Sequence, residues 1–194
     1  MSTNPVLANR EDLHWSQTVR GIELFFNTTW GLFSPKQLDA GSRLLLDHVN
    51  PEPDARILDL GCGYGPLGVT LARLCPQGQV DMVDKDFVAV EYAQKNALLN
   101  QCSNCEAYLS NGFSHIPDKG FDLIISNLPA KVGNELYAIF FEDARRYLRP
   151  GGRLYVVTIV GLKSYIQRSF KTHFDNYKKV KQSTGHIVSM AIYN

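Results

Sequence analysis

The sequence lacks an excess of charge, a cysteine framework and long apolar runs. Its 20 Lys and Arg stand against 19 Asp and Glu, a formal net charge of +1 over 194 residues. That balance excludes a polycation whose affinity for nucleic acid comes from bulk charge. The four cysteines, at 62, 75, 102 and 105, are too few for a disulfide scaffold of this length. Cys102-Ser103-Asn104-Cys105 has C-x-x-C spacing, yet no second pair or nearby histidine completes a zinc site. It also follows a helical stretch, where a redox motif would open one. We therefore expect reduced thiols and no metal. No apolar run reaches the roughly 18 residues that span a bilayer, so no membrane contact is expected. The polar start, Met1 to Asp12, has no apolar core of a secretion signal, which points to a cytoplasmic protein.

What is present is ordinary for a globular chain. The 44% of hydrophobic residues exclude a disordered polymer. At about 150 residues per domain the length predicts one domain with a modest extension. The expected boundary lies near residue 33, with an extension over 1–33 and the main domain over 34–194. Within the extension, Trp15, Val19, Ile22, Leu24, Phe26 and Thr28 alternate on either side of Gly21, which predicts a β-hairpin over 14–29. Ser34-Pro35-Lys36-Gln37 then predicts a helix start. Ser34 would cap it, Pro35 would take the first helical position and Gln37 would complete a capping box. From residue 56 the pattern alternates. Strands are predicted at 56–60, 79–84, 106–109, 121–126, 153–160 and 187–193. Helices are predicted at 66–75, after the cap Asp86, and at 134–148. This order implies an α/β fold, a parallel sheet with helices on both faces.

The decisive stretch is Ile57-Leu58-Asp59-Leu60-Gly61-Cys62-Gly63-Tyr64-Gly65-Pro66. A strand ends there and a helix begins, so backbone N–H groups point at whatever binds. Gly61, Gly63 and Gly65 let the backbone turn tightly and approach a ligand. The spacing is G-x-G-x-G, with Pro66 at the third-glycine position of the dinucleotide motif G-x-G-x-x-G. Asp59 lies two residues before the first glycine. Its carboxylate would repel a pyrophosphate and attract an ammonium. S-adenosylmethionine carries that ammonium, a sulfonium and no phosphate. Asp84 ends the next strand, 19 positions after Gly65 and close to the place of a ribose-binding acid in such folds. Asp81 and Asp86 are alternatives for that role, the latter better explained as a helix cap. Asn111 follows the third strand. Its side chain suits an adenine amino group, and the N–H of Gly112 suits a ring nitrogen. An Asn-Gly turn without a ligand is the other reading.

The fourth strand runs into Ser126-Asn127-Leu128-Pro129-Ala130-Lys131. With Gly31-Leu32-Phe33-Ser34, Asp39-x-Gly41-Ser42 and the glycine stretch, this resembles the small-domain class of S-adenosylmethionine-dependent methyltransferases, which includes ribosomal RNA guanine-N2 methyltransferases. The resemblance implies a Rossmann-like, mostly parallel seven-stranded sheet with an antiparallel last strand, preceded here by the hairpin. It also implies S-adenosylmethionine bound at Asp59, Gly61, Gly63, Gly65, Asp84, Lys85, Asn111, Gly112 and Asn127. Such enzymes usually read Asn-Pro-Pro-Phe after the fourth strand. The Asn oxygen and a following backbone carbonyl accept the two protons of an amine and aim its lone pair at the methyl group. Prolines fix the carbonyl, and the aromatic ring stacks on a flipped base. Asn127 and Pro129 keep the orienting half of the motif. Leu128 replaces the first proline and Ala130 the aromatic, so the stacking half is missing. Phe33, Tyr64 or Phe113 would have to stack instead, with Phe33, Leu128, Ala130 and Lys131 facing the substrate.

Residues 163–181 carry six cations against one acid, a net +5 that leaves −4 for the rest of the chain. Tyr165, Phe170, Phe174 and Tyr177 interleave with these cations. They form either a nucleic-acid-facing surface or a solvated helix face with its aromatics in the core. The implied partner is RNA, ribosomal by resemblance. The rivals are a small-molecule or protein acceptor, and a non-catalytic binding module. A dinucleotide oxidoreductase is disfavoured by the glycine spacing.

Overall fold

The computed structural model describes residues 12–117, 120–130 and 132–194. Leu13–Val19 (β1) and Ile22–Thr28 (β2) form an antiparallel hairpin, with Leu13 opposite Thr28 and Val19 opposite Ile22. The two-residue turn holds Arg20 at φ 51° and Gly21 at φ 81°. Two successive positive φ angles match the right-handed twist of the strands. The Arg20 guanidinium offsets its unusual backbone by donating to the Val49 carbonyl at 2.7 Å.

Ala40–Leu46 (α1) follows. It starts later than the sequence predicts. Asp39 caps it, its carboxylate accepting from the N–H groups of Gly41 and Ser42. Ser34 stays in the preceding loop at φ 49°, with its hydroxyl donating to the Gln37 carbonyl. Both segments carry capping residues, but only the second leads directly into the apolar run Leu44–Leu46.

The body alternates from there: Arg56–Leu60 (β3), Pro66–Leu74 (α2), Gln79–Asp84 (β4), Phe87–Leu99 (α3), Cys105–Leu109 (β5), Phe121–Asn127 (β6), Asn134–Tyr147 (α4) and Leu148–Ile159 (β7). A 3₁₀ turn at Val160–Leu162 leads to Lys163–Phe174 (α5), Lys178–Gln182 (β8) and His186–Ile192 (β9). The seven-stranded sheet has the order β5-β4-β3-β6-β7-β9-β8. Only β9 runs against its neighbours, pairing antiparallel with both β7 and β8. The last strand is thus inserted inside the sheet, and the charged β8 lies at its edge.

Both faces of the sheet are buried. Ile57, Leu123 and Ile125 point into one core with α2, α3 and the hairpin. Leu58, Leu60 and Ile124 point into a second core with α4 and α5. Alternate residues of one strand therefore serve opposite layers, which is why these strands read as continuous apolar runs. The second core takes in Phe170 and Phe174, both buried, with Tyr165 and Tyr177 packed against it. These rings pack inside, against Phe141 at 5.1 Å for Phe170, and form no stacking surface.

The hairpin is fastened to α3. Asn96 and Asn100, one helical turn apart, offer their side-chain amides to the outer edge of β2. Asn96 accepts from the Asn27 N–H at 2.7 Å and donates to its carbonyl at 2.9 Å. Asn100 does the same for Phe25, at 3.0 and 2.7 Å. Two helical side chains thereby replace a missing strand and close an edge that would otherwise be open to pairing. Among the described residues no helix is long and apolar enough to cross a membrane.

Candidate active site

The site grows from the carboxyl ends of adjacent parallel strands. In open α/β sheets the crevice lies there, at the point where strand order reverses. Here that point is between β3 and β6, which are neighbours in space but separated in sequence.

At the end of β3, Gly61, Gly63 and Gly65 adopt φ of 75°, 57° and 87°. A β-carbon on Gly61 or Gly63 would meet nothing within 4 Å, so the turn leaves open space above it. On its inner side the turn is clamped. The N–H groups of Gly61 and Cys62 both donate to the Val83 carbonyl, at 2.8 and 2.9 Å. The Gly63 N–H donates to Asp84 Oδ2 at 2.9 Å. The Tyr64 carbonyl accepts from Asn96 at 2.8 Å. The Tyr64 ring turns inward onto Trp15 and Phe26 and is therefore part of the core.

Asp59 lies beneath this turn and is fully buried. Its Oδ2 accepts the Gly68 N–H of α2 at 2.8 Å. Its Oδ1 has no hydrogen-bond partner among the described residues. Burial pushes the carboxyl up to about 7 against the pull of the Gly68 N–H, and the nearby Asp84 adds to the rise. Gly68 has to be glycine, since a β-carbon there would come within 2.4 Å of Met82 Cγ and 3.1 Å of Asp59 Oδ2. Burial also raises the Cys62 thiol well above its ordinary value, which makes it a poor nucleophile.

Asp84 is half-buried at the end of β4. Besides the Gly63 N–H it accepts the Asp86 N–H at 3.0 Å, so each oxygen is fixed by one backbone donor and retains a lone pair. Lys85 is exposed beside it. Asp86 caps α3 through the Val88 N–H, and Asp81 is buried inside the sheet. Asn111 and Gly112 are exposed in the turn after β5, which the Ser110 N–H ties to the Asp84 carbonyl at 2.9 Å.

On the other side of β3, Asn127 ends β6 half-buried. The next N–H, that of Leu128, donates to the Val157 carbonyl at 3.1 Å, and the Leu128 side chain is buried. Pro129 and Ala130 are exposed, with the Pro129 carbonyl accepting from the Tyr137 hydroxyl. Lys131 lies outside the described residues. Among the three candidate stacking rings, Phe113 is buried against Phe140 and Tyr147, while Phe33 is 69% exposed. The loop that carries Phe33 reaches both sides of the crevice. The Ser34 carbonyl lies 3.4 Å from the Tyr64 hydroxyl, and Asp39 contacts Asn127.

Comparison with known proteins agrees with this geometry. The family model described as methyltransferase small domain matches residues 23–190. The chain belongs to the methyltransferase small domain family. A relative from Bacillus subtilis, the uncharacterized protein YbxB, is 34% identical over 91% of this chain and 90% of its own length. Ribosomal RNA small subunit methyltransferase C of Haemophilus influenzae is 35% identical over 79% of this chain, but only 46% of that protein is covered. The T. thermophilus 16S rRNA N2 G1207 methyltransferase, in complex with AdoMet and guanosine, superposes with a TM-score of 0.85 and 28% identity, covering 94% of this chain and 51% of that one. The methyltransferase thus spans about half the length of the curated ribosomal RNA enzymes it matches.

S-adenosylmethionine is the cofactor of this class, and the residues present fit it. The methyltransferase has a buried carboxylate oxygen without a partner, a second carboxylate with lone pairs to spare, and a glycine turn open above. Among the described residues no group of three His, Cys, Asp or Glu side chains is placed to hold a metal. Two further residues touch the site, Asp39 and Ser42, to which the sequence assigns no site role. Their one legible signal is the spacing Asp39-x-Gly41-Ser42, which fits a helix cap. Their partner Asn127 is 88 positions away from Asp39.

Proposed function

We propose that this methyltransferase moves the methyl group of S-adenosylmethionine to the exocyclic amine of a base in ribosomal RNA, of the guanine-N2 type. The observation that carries the proposal is the order of groups along four adjacent strand ends. Asn111, Asp84, the glycine turn above Asp59, and Asn127 follow one another across β5, β4, β3 and β6. A nucleoside needs a base contact, a diol contact and a backbone cradle in that sequence, and the reacting amine comes last.

When bound, the cofactor supplies a methyl group already activated by its sulfonium. The protein then has to position and polarise. Asp84 accepts the two ribose hydroxyls, with Lys85 at the rim. Asn111 and the Gly112 N–H face the adenine. Gly61, Gly63 and Gly65 keep β-carbons away from the methionine portion, and Asp59 draws its ammonium toward the turn. Asn127 accepts a proton of the acceptor amine, and Pro129 stiffens the segment that follows. Phe33 provides the exposed ring that Ala130 does not, with Leu128 and Lys131 beside the acceptor.

The test is transfer of labelled methyl from S-adenosylmethionine into fractionated total RNA, protein and low-mass extract. Label in ribosomal RNA, recovered as N2-methylguanosine, is the expected result. Label confined to protein or metabolites overturns the substrate. A second reading, an acceptor smaller than RNA, is favoured by Ala130 and by the coverage of only half of the ribosomal RNA enzymes. Binding of the cofactor with no transfer to any fraction would leave a non-catalytic module.

A further inference from the structure

The Asn127 side chain has a fixed orientation, and its cause is on another element. Its amide nitrogen lies 3.2 and 3.3 Å from the two carboxylate oxygens of Asp39 and 3.0 Å from Ser42 Oγ. A carboxylate accepts hydrogen bonds and donates none. The nitrogen edge of the amide must therefore face Asp39, and the oxygen edge is turned away from α1. Asp39 is itself held. Its Oδ1 accepts the N–H groups of Gly41 at 2.9 Å and Ser42 at 3.1 Å. Gly41 makes room for this arrangement, since a β-carbon there would lie 3.0 Å from Asp39 Oδ1 and 3.0 Å from the His186 ring.

We propose that Asp39 is a positioning residue for methyl transfer, locking the Asn127 amide in the one flip that presents its oxygen to the acceptor amine. The inference rests on the reading of Asn127 as the group that orients that amine. The two flips of an asparagine amide have nearly the same shape, so packing alone discriminates poorly between them. Their chemistry is opposite. The flip seen here offers an acceptor to the amine's N–H, and the other would set NH₂ against NH₂. Asp39 removes the ambiguity by charge. It does so from the loop that also carries Phe33, so one segment both presents the exposed ring and sets the Asn127 amide.

The discriminating variant is Asp39→Asn. Asparagine caps a helix about as well as aspartate, so α1 and the fold are kept. It can donate or accept, however, and no longer dictates which edge of Asn127 faces it. With ribosomal RNA as acceptor, kcat is expected to fall about 10- to 100-fold, with KM and cofactor affinity within about twofold. A purely structural cap predicts no change in kcat. The reciprocal double variant Asp39→Asn/Asn127→Asp restores a hydrogen bond of reversed polarity and still offers the amine an oxygen. It is expected to recover about tenfold over Asp39→Asn. A second measurement does not depend on turnover. The ¹⁵N side-chain resonance of Asn127, identified by its loss in Asn127→Asp, should shift and exchange at least about tenfold faster in Asp39→Asn. Unchanged kcat together with an unchanged resonance overturns the role of Asp39. A wild-type protein that methylates nothing overturns the reading of Asn127 instead, while the resonance still reports whether Asp39 sets the amide.

Discussion

The two sides of the strand-end crevice are built differently. On the β3–β4 side most of the donors that hold the geometry are main-chain N–H groups. Gly61, Cys62 and Gly63 each donate a main-chain N–H to β4, and Gly68 donates one to Asp59. On the β6 side it is held by side chains from distant segments, Asn127 by Asp39 and the Pro129 carbonyl by Tyr137. A backbone-held site tolerates few changes and suits one invariant ligand. A side-chain-held site can be altered one residue at a time, and it is here that Leu128 and Ala130 depart from the usual motif. On the proposed function, the cofactor side is the fixed half of the molecule and the acceptor side the adjustable half.

The sharpest way to separate the halves is Asn127→Ala. Loss of one preorganised polar contact to the reacting group costs about 10²- to 10³-fold in turnover. We expect that loss in kcat while the cofactor's dissociation constant, read by calorimetry, changes less than about threefold. An equal loss in both would mean that the two halves are not separable. The next largest effect belongs to Asn96, which bonds Asn27 twice and the Tyr64 carbonyl once while fully buried. Asn96→Ala leaves buried backbone groups of β2 and the glycine turn without partners, at about 1–3 kcal/mol for each stranded group. Urea denaturation should show a loss of about 3 kcal/mol or more. A loss below about 1 kcal/mol would show that the hairpin is an independent appendage and no part of the fixed half.

These positions also mark what the sequence makes legible. The alternating strands and helices, the glycine turn and the chain order of Asp59, Asp84, Asn111 and Asn127 are local patterns, and they fall on the expected elements, except that β7 begins at Leu148, five residues before the predicted 153. Asn96 and Asn100 carry no such mark, because an asparagine pair in a helix shows its purpose only when a strand edge lies beside it. The start of α1 is hidden in the sequence, because Ser34-Pro35 satisfies the local rules for a cap while Asp39 satisfies them closer to the apolar run. The strand β8, Lys-Lys-Val-Lys-Gln, has no apolar alternation to read, since an edge strand with four polar residues of five hides its period.

Asp59 allows the fixed half to be tuned without breaking it. Its carboxyl is pushed up to about 7 from 3.8, so between those values the folded chain holds a proton that the unfolded chain has lost. Its contribution to stability is therefore full below the unfolded value and is lost as pH rises through about 7. A bound cation reverses the preference and favours the carboxylate. Cofactor affinity should rise about tenfold from pH 6 to pH 8, with release of about half a proton on binding at pH 7 and close to one by about pH 6. Calorimetry in buffers of different ionisation enthalpy measures that proton. Asp59→Asn should flatten both the affinity profile and the release, and a profile that keeps its slope in the variant would assign the titration to another group.

The smallest effect is expected at β8, where two explanations of the same charges diverge. Lys178, Lys179 and Lys181 are exposed on the sheet's edge strand, which is five residues long and shifts register between Lys179 and Lys181. A short strand, a bulge and lysines are the three devices that keep an edge from pairing with another chain. The aromatics that would have made this stretch a stacking surface are in the second core. Protection of the edge is thus enough to explain the lysines without an RNA contact. Replacing all three with serine should change methyl transfer at physiological salt by less than about twofold. The same variant should lose solubility and gain oligomers by light scattering. If transfer instead falls tenfold and the salt dependence of RNA affinity flattens by about 0.9 for each lysine removed, the three contact phosphates. The adjustable half of the site would then extend across the sheet to its far edge.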